Sequence, residues 1–353
     1  MTVRDLNLDF NYLRTLPSQA FRGLNAGRIY LSKNKLEGMD DRAFVGLGHT
    51  LEYLDLDGNL LDRIPRALQQ LKRLKYLYLA SNKLRDIPED AFEGFANSLR
   101  AVSLSGNQLS RIPREALTEC RRLSHLNLGY NQISDIEEED LKNWAGNLET
   151  LLLINNRITH LNAHAFQHTP RLKELSLSFN QLSDIHDEAF ADLGNSLANL
   201  EISFGLSRED FPETLLKPLT SLSWLALDNN NLRTISRSAL YPFGQLQYLN
   251  LEANKLTRLP PQIFHPNVHR HLVDVRLAYN HLEEIGSGTF SSLPSLQTVV
   301  LTGNRLKAIR TGAFTDLPAL VTLELSDNRL TMLASKSFVT LPSLGRLKLQ
   351  FND

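Results

Sequence analysis

Residues 74–84 read LKYLYLASNKL, residues 123–133 read LSHLNLGYNQI, and residues 320–330 read LVTLELSDNRL. All three fit the template L-x-x-L-x-L-x-x-N-x-L, with Ile133 in the last leucine slot of the second, and following it in both directions finds copies along the whole chain. The asparagine slot falls at 11, 34, 59, 82, 107, 131, 156, 180, 205, 230, 254, 280, 304, 328 and 352, and only position 205, a glycine, departs from asparagine. Successive slots lie 23 to 26 residues apart. Such constancy marks a repeat architecture, in which length says nothing about the number of separate domains.

Side-chain direction explains the template. In L-x-L the two leucines point to one face of a short strand and the residue between them to the other. A single strand of this kind cannot bury its apolar face alone, whereas stacked copies form a parallel ladder over a continuous core. The asparagine sits where the chain turns away from the strand, and its amide both donates to and accepts from nearby backbone. Further round each copy comes an isoleucine set, including Ile64, Ile87, Ile112 and Ile136, followed by a phenylalanine slot that holds Phe21, Phe44, Phe92, Phe166, Phe190, Phe264, Phe290, Phe314 and Phe338. The aromatic content is therefore largely a structural spine. Outer segments such as IPEDAFEGF, 87–95, are too short for regular helices and are expected to form turns or brief 3₁₀ pieces.

On these residues the chain resembles the leucine-rich repeat family, in its class of roughly 24 residues per repeat that is common in extracellular proteins. The likeness implies an α/β repeat solenoid, a leucine-rich repeat horseshoe with a parallel β-sheet on the concave face and short turns or 3₁₀ segments on the convex face. It covers residues 1–353 as a single array of about 15 repeats. The extra residue before several strands, as in FEGFANSLRAVSL, and the run FPETLLKPLTSLSWLALDNNNL are similar to chaoptin-type adhesion proteins; Toll-like receptor ectodomains are the alternative. The implied function is a non-catalytic protein-interaction scaffold, with extracellular or cell-surface adhesion first, a pattern-recognition or signalling receptor ectodomain second, and an intracellular scaffold or regulator third. Because the first strand starts at residue 3 and the chain stops one residue after Asn352, the array is expected to be uncapped at both ends, a piece of a longer protein.

Composition narrows the partners. With 38 basic against 39 acidic residues the net charge is −1, which offers no footprint for a nucleic-acid backbone. No apolar run approaches the roughly 20 residues of a membrane span, so membrane attachment is expected only through parts absent from this chain. The single cysteine, Cys120, excludes an internal disulfide and occupies the slot of Phe95 and Trp144, as a core filler would. His160, His164 and His168, and again His265, His269 and His271, are read as outer surface and not as metal ligands. The acidic run Glu137, Glu138, Glu139 and Asp140 is read as a solvated turn, and Gly286 and Gly288 lack the strand-loop-helix context of a phosphate loop. Neither a catalytic residue, a metal site nor a cofactor is expected.

Binding is then sought on outward-pointing strand residues. Most are polar, such as Asp55, Asp57, Ser103, Asn127, Glu174 and Ser176. Against them stand three apolar groups: Tyr30, Tyr53, Tyr76 and Tyr78 on successive repeats; Leu152 and Ile154, from LLLIN; and Trp224 with Tyr248. Tyrosine and tryptophan supply large contact area at low entropic cost, so these are the candidate sites for a protein partner or for homophilic adhesion. The irregular repeat near 197–221, with Gly205, Pro212 and Pro218, is expected to interrupt the asparagine ladder.

Overall fold

In the computed structural model, which describes residues 2–353, each template copy forms one short strand, and within each of two compact units neighbouring copies pair in parallel without register slip. The strands fall into two compact units, one closing at Ser176 and the other running from Leu177 to Asp353. In the first unit the order is Thr2–Asn7, Asn25–Tyr30, Tyr53–Asp55, Tyr76–Tyr78, Ala101–Ser103, His125–Asn127, Thr150–Leu152 and Glu174–Ser176. The second contains Asn199–Glu201, Trp224–Ala226, Tyr248–Asn250, Asp274–Arg276, Thr298–Val300, Thr322–Glu324 and Arg346–Lys348. Each unit is a parallel-sheet solenoid in which sequence neighbours are spatial neighbours. Register follows from burial: Leu54 faces Leu77, and Tyr53 and Asp55 on either side of it face Tyr76 and Tyr78. A slip of one residue would turn the leucines outward.

Beneath the strands the template leucines are fully buried, among them Leu54, Leu56, Leu77, Leu79, Leu126 and Leu128 at 1% exposure or less. Each contributes about 1.5–3 kcal/mol of apolar burial, which is what orders such short strands. Behind them lies the phenylalanine spine. Phe264, Phe290, Phe314 and Phe338 stack at 5.0, 5.1 and 5.7 Å between successive ring centres in the second unit, and Phe21 stacks on Phe44 at 5.4 Å in the first. Only Phe338 of the nine slot residues is merely half-buried.

The asparagines tie consecutive turns together. Asn82 Nδ2 donates to Leu56 O of the preceding turn at 3.0 Å and to Leu79 O of its own at 3.1 Å, while its Oδ1 accepts from Leu61 N at 3.0 Å. Asn107 and Asn131 repeat the pattern within the first unit, and Asn254, Asn280 and Asn304 within the second. At Gly205 the expected gap is closed by other atoms. The Gly205 carbonyl itself accepts from Leu182 N at 2.8 Å, the role of the missing side-chain oxygen, and Asn230 Oδ1 accepts from both Gly205 N at 3.0 Å and Leu206 N at 2.8 Å. Deleting one residue after the slot brings both amides within reach of one acceptor.

A further regularity precedes each ladder position. The residue before it has positive φ in every copy, from Phe10 at 57° to Phe351 at 58°, and is a glycine only at Gly58, Gly106 and Gly303. This left-handed step reverses the chain after the strand at a small cost for non-glycine residues, offset by the ladder bonds that follow.

The outer segments form the expected turns and 3₁₀ pieces at Arg66–Gln70, Ala145–Asn147 and Ala191–Leu193, but single α-turns also form at Arg114–Leu117 and Glu213–Leu216, each directly after a proline. Short outer ladders form as well, such as Thr15–Leu16 with Gly38–Met39 and Glu284–Ile285 with Ala308–Ile309. Proline stops the first of them. In the paired turns the later copy donates, Asp40 N to Leu16 O at 2.9 Å and Arg310 N to Ile285 O at 2.9 Å. Pro65 and Pro88 occupy the donor position in the next two copies and have no N–H to give.

Candidate functional site: the open sheet face

Residues between the core leucines project from the open face, and in the first unit four tyrosines dominate it. Tyr53 lies at the centre, with ring centres 5.1 Å from Tyr30, 5.2 Å from Tyr78 and 6.3 Å from Tyr76, all tilted by 40–45°. The strand register produces this packing: Tyr53 is opposite Tyr76, and Asp55 stands between Tyr30 on one side and Tyr78 on the other. The sequence grouping of these four residues is thus a physical cluster. Tyr76 remains 38% exposed at its edge.

Leu152 belongs with this cluster. The next two strands carry small or modest side chains, and a groove of about 370 Å³ opens with Tyr76 and Tyr78 as one wall, Ala101 and Ser103 in its floor, and Leu152 in the far wall. Ile154 is half-buried beside it; a methyl group added at Gly129 would come within 2.7 Å of its Cγ2, so the glycine gives the isoleucine room. Tyr76 and Tyr78 of the first sequence group and Leu152 of the second thus line one groove.

Carboxylates border the tyrosines. Asp57 Oδ1 accepts from Ala80 N at 2.6 Å, Asp55 Oδ1 accepts from Asp57 N at 2.9 Å, and Asp9 Oδ1 accepts from Ser32 N at 2.7 Å. Burial pushes the Asp57 carboxyl up to about 6 and raises that of Asp55; burial and the adjacent Asp55 push the Tyr53 phenol up to about 12. At the strand entry Arg28 is held by the Tyr30 hydroxyl and by Asp5, whose Oδ1 is 3.8 Å away, while Glu52 is paired with Lys75 at 2.8 Å and Arg73 at 3.0 Å.

In the second unit Trp224 stacks on Tyr248, ring centres 3.6 Å apart and planes 15° from parallel. Arg276 covers the Tyr248 ring at 5.7 Å and is itself fixed by Asp274, Nε to Oδ1 3.2 Å. This pair carries its own cation, which distinguishes it from the tyrosine cluster.

The sequence reading passed over a second aromatic set. Phe10, Tyr130, Phe179, Phe204, Tyr279 and Phe351 all occupy the positive-φ position and are 45–77% exposed. Phe179 and Phe204 stack at 4.7 Å. Their signal was the recurring aromatic-asparagine dipeptide, as at 130–131, 179–180 and 279–280.

Elsewhere polar residues prove structural. Cys120 is fully buried, its thiol donating to Ala116 O at 3.9 Å, and burial pushes its pKa up to about 12, away from thiolate chemistry. His269 is not surface: at 1% exposure its Nδ1 accepts from His265 N at 2.8 Å and its Nε2 lies 2.9 Å from Leu240 O. Asp140 also departs from a solvated turn. It is buried and accepts from Glu137 N at 2.8 Å, whereas Glu137, Glu138 and Glu139 are exposed. Among the described residues no three His, Cys, Asp or Glu side chains gather in a group that could hold a metal ion, and no helix is long and apolar enough to cross a membrane.

The leucine rich repeat profile matches nine segments, among them 2–61, 73–133, 146–205, 195–256 and 294–353. The chain belongs to the leucine-rich repeat family. It is similar to chaoptin of Tribolium castaneum, 31% identical over 88 residues, which is 24% of this chain and 11% of chaoptin. The matched stretch is thus a small part of that relative's length. A leucine-rich repeat protein of Leptospira interrogans has a similar structure, TM-score 0.81 at 25% identity, covering 99% of this chain and 84% of that one. Toll in the Drosophila Toll–Spatzle complex shares the fold at TM-score 0.67 and 23% identity, over 90% of this chain and 46% of Toll.

Proposed function

We propose that this chain is the partner-binding array of an extracellular adhesion protein, and that the groove between the tyrosine cluster and Leu152 is where it holds a protein partner. One observation carries the reading: on a sheet face that is otherwise mostly polar or charged, four tyrosines on consecutive strands pack against one another and leave an apolar groove beside them. Sheet geometry needs no such cluster at an open surface, whereas interface anchors are rich in tyrosine. The likeness to chaoptin supports adhesion at the cell surface. Toll, which is seen in complex with Spatzle, supports the second reading, a receptor ectodomain that captures a protein ligand.

Replacing Tyr53, Tyr76 and Tyr78 with serine tests the site. These side chains point away from the core, so the variant is expected to fold with a melting curve near that of the parent while aggregation of cells displaying it falls at least about tenfold, as truncated interface anchors cost about 2 kcal/mol or more each. Mixing displaying with non-displaying cells separates homophilic from heterophilic adhesion. Unchanged aggregation by a folded variant refutes the site.

A further inference from the structure

The strand face is acidic although the chain as a whole is balanced at −1. In the first unit its outward charges are Asp5, Asp9, Asp55, Asp57 and Glu174 against Arg4 and Arg28, both on the side of the cluster that also holds Thr50 and Glu52. Arg28 is drawn to Asp5 and the Tyr30 hydroxyl, on the entry side of the strands. On the opposite side Asp55 lies between the Tyr30 and Tyr78 registers, with Asp57 two residues on. Each of these two carboxylates uses Oδ1 on a backbone amide, and among the described residues no cation comes within 4 Å of either. Lys33 is the nearest intrinsic positive charge, its stem lying along Gly58.

We propose that this site takes an extended basic segment of a partner protein, with a lysine or arginine over Asp55 between the rings of Tyr30 and Tyr78 and an apolar side chain in the neighbouring groove. The inference rests on the partner-binding reading above and specifies the partner's chemistry. Two attractions converge on a cation here, the carboxylates of Asp55 and Asp57 and the faces of two tyrosine rings. The second unit shows the same chemistry already satisfied within the chain, where Arg276 covers Tyr248 beside Asp274.

Spacing follows from the sheet. Asp55 lies two to three strand spacings from the groove floor at Ala101, Ser103 and Asn127, about 10–14 Å, which an extended chain covers in three to four residues. An extended chain puts residues four apart on the same face, so the segment crosses the strands with its basic and apolar residues four apart. Because the groove is walled by Tyr78 and Leu152, an aromatic or branched aliphatic side chain fits it.

The test uses the whole chain and synthetic peptides with a Lys-Ser-Ser-Ser-Phe core in Gly-Ser flanks, followed by fluorescence anisotropy. Comparison peptides carry Glu for Lys, or Ser for Phe, and a neutral chitooligosaccharide is run in parallel. The lysine peptide is expected to bind, with affinity falling at least about tenfold for the glutamate peptide and for the Asp55→Asn, Asp57→Asn double variant. Asparagine keeps an oxygen for the Asp57 and Ala80 amides, so the variant is built to fold, and matched thermal melts check it. Absent binding of the lysine peptide, equal binding of the two charge forms, or oligosaccharide binding that the double variant retains while peptide binding is indifferent to charge, each overturns the inference. Its failure with tyrosine-dependent cell aggregation intact leaves the partner site standing. Conversely, charge-selective peptide binding with aggregation insensitive to the tyrosines removes adhesion and keeps the site.

Discussion

Replacing Asn82 with alanine removes one rung of the ladder at a position where every lost bond can be named. Leu61 N loses its acceptor at 3.0 Å, and Leu56 O and Leu79 O lose donors at 3.0 and 3.1 Å. All three groups are buried, in a turn where Asn82 itself is 8% exposed. Leu56 O keeps Asn59 Nδ2 at 3.0 Å and Leu79 O keeps Asn107 Nδ2 at 3.0 Å, so only Leu61 N is left unpaired; that costs about 1–3 kcal/mol, and losing the second bond to each carbonyl brings the expected total to about 2–4 kcal/mol. An ordinary surface substitution changes stability by about 0.5 kcal/mol or less. Asn82→Asp refines the test. It keeps the acceptor for Leu61 N but turns carboxylate oxygens toward two carbonyl oxygens in a buried setting, so it should be worse than alanine. Urea unfolding followed by circular dichroism gives the midpoint and slope. Hydrogen exchange at the Leu61 amide reports the local opening, which a repeat array can undergo apart from the rest. A loss below about 1 kcal/mol for the alanine variant, or an aspartate variant more stable than it, would refute the ladder argument.

Two further outcomes follow from the same structure. The amides of Leu182, Gly205 and Leu206 should exchange as slowly as those of Leu36 and Leu61, since each has a named acceptor; rapid exchange confined to the ninth turn would show that Gly205 and Asn230 do not replace the missing asparagine. Asp57 should titrate near pH 6 by carbon NMR, with Asp55, Asp9, Lys33, Tyr53 and Tyr78 around it. Since its folded pKa lies above the unfolded value, its ionisation disfavours the folded state: that contribution sets in as pH rises above the ordinary carboxylate range and is complete above about pH 6. Binding of the basic peptide runs the other way and should strengthen as pH rises through 6, where Asp57 gains its charge; a profile flat between pH 5 and 7 contradicts this.

The repeat made most of the fold legible from the amino-acid sequence alone. Alternation in L-x-L set which face each residue takes, and a period of 23 to 26 residues left parallel stacking as the way to bury leucines such as Leu54 and Leu77. The repeat therefore places Tyr30, Tyr53, Tyr76 and Tyr78 on one face, because in a solenoid neighbours in the repeat are neighbours in space. What the tertiary structure decided depends on contacts the template does not encode. Leu152 joined the tyrosines because the side chains between them are small, and Asp57 acquired a raised pKa only through burial among its neighbours. The outer ladders required knowing which copy donates, since proline is harmless at Pro17, an acceptor-side position, and disruptive at Pro65. At Gly205 the template announced a missing side chain, but the replacement of its oxygen by a backbone carbonyl depends on where one deleted residue lets the chain settle, and that is a property of packed atoms, not of the pattern.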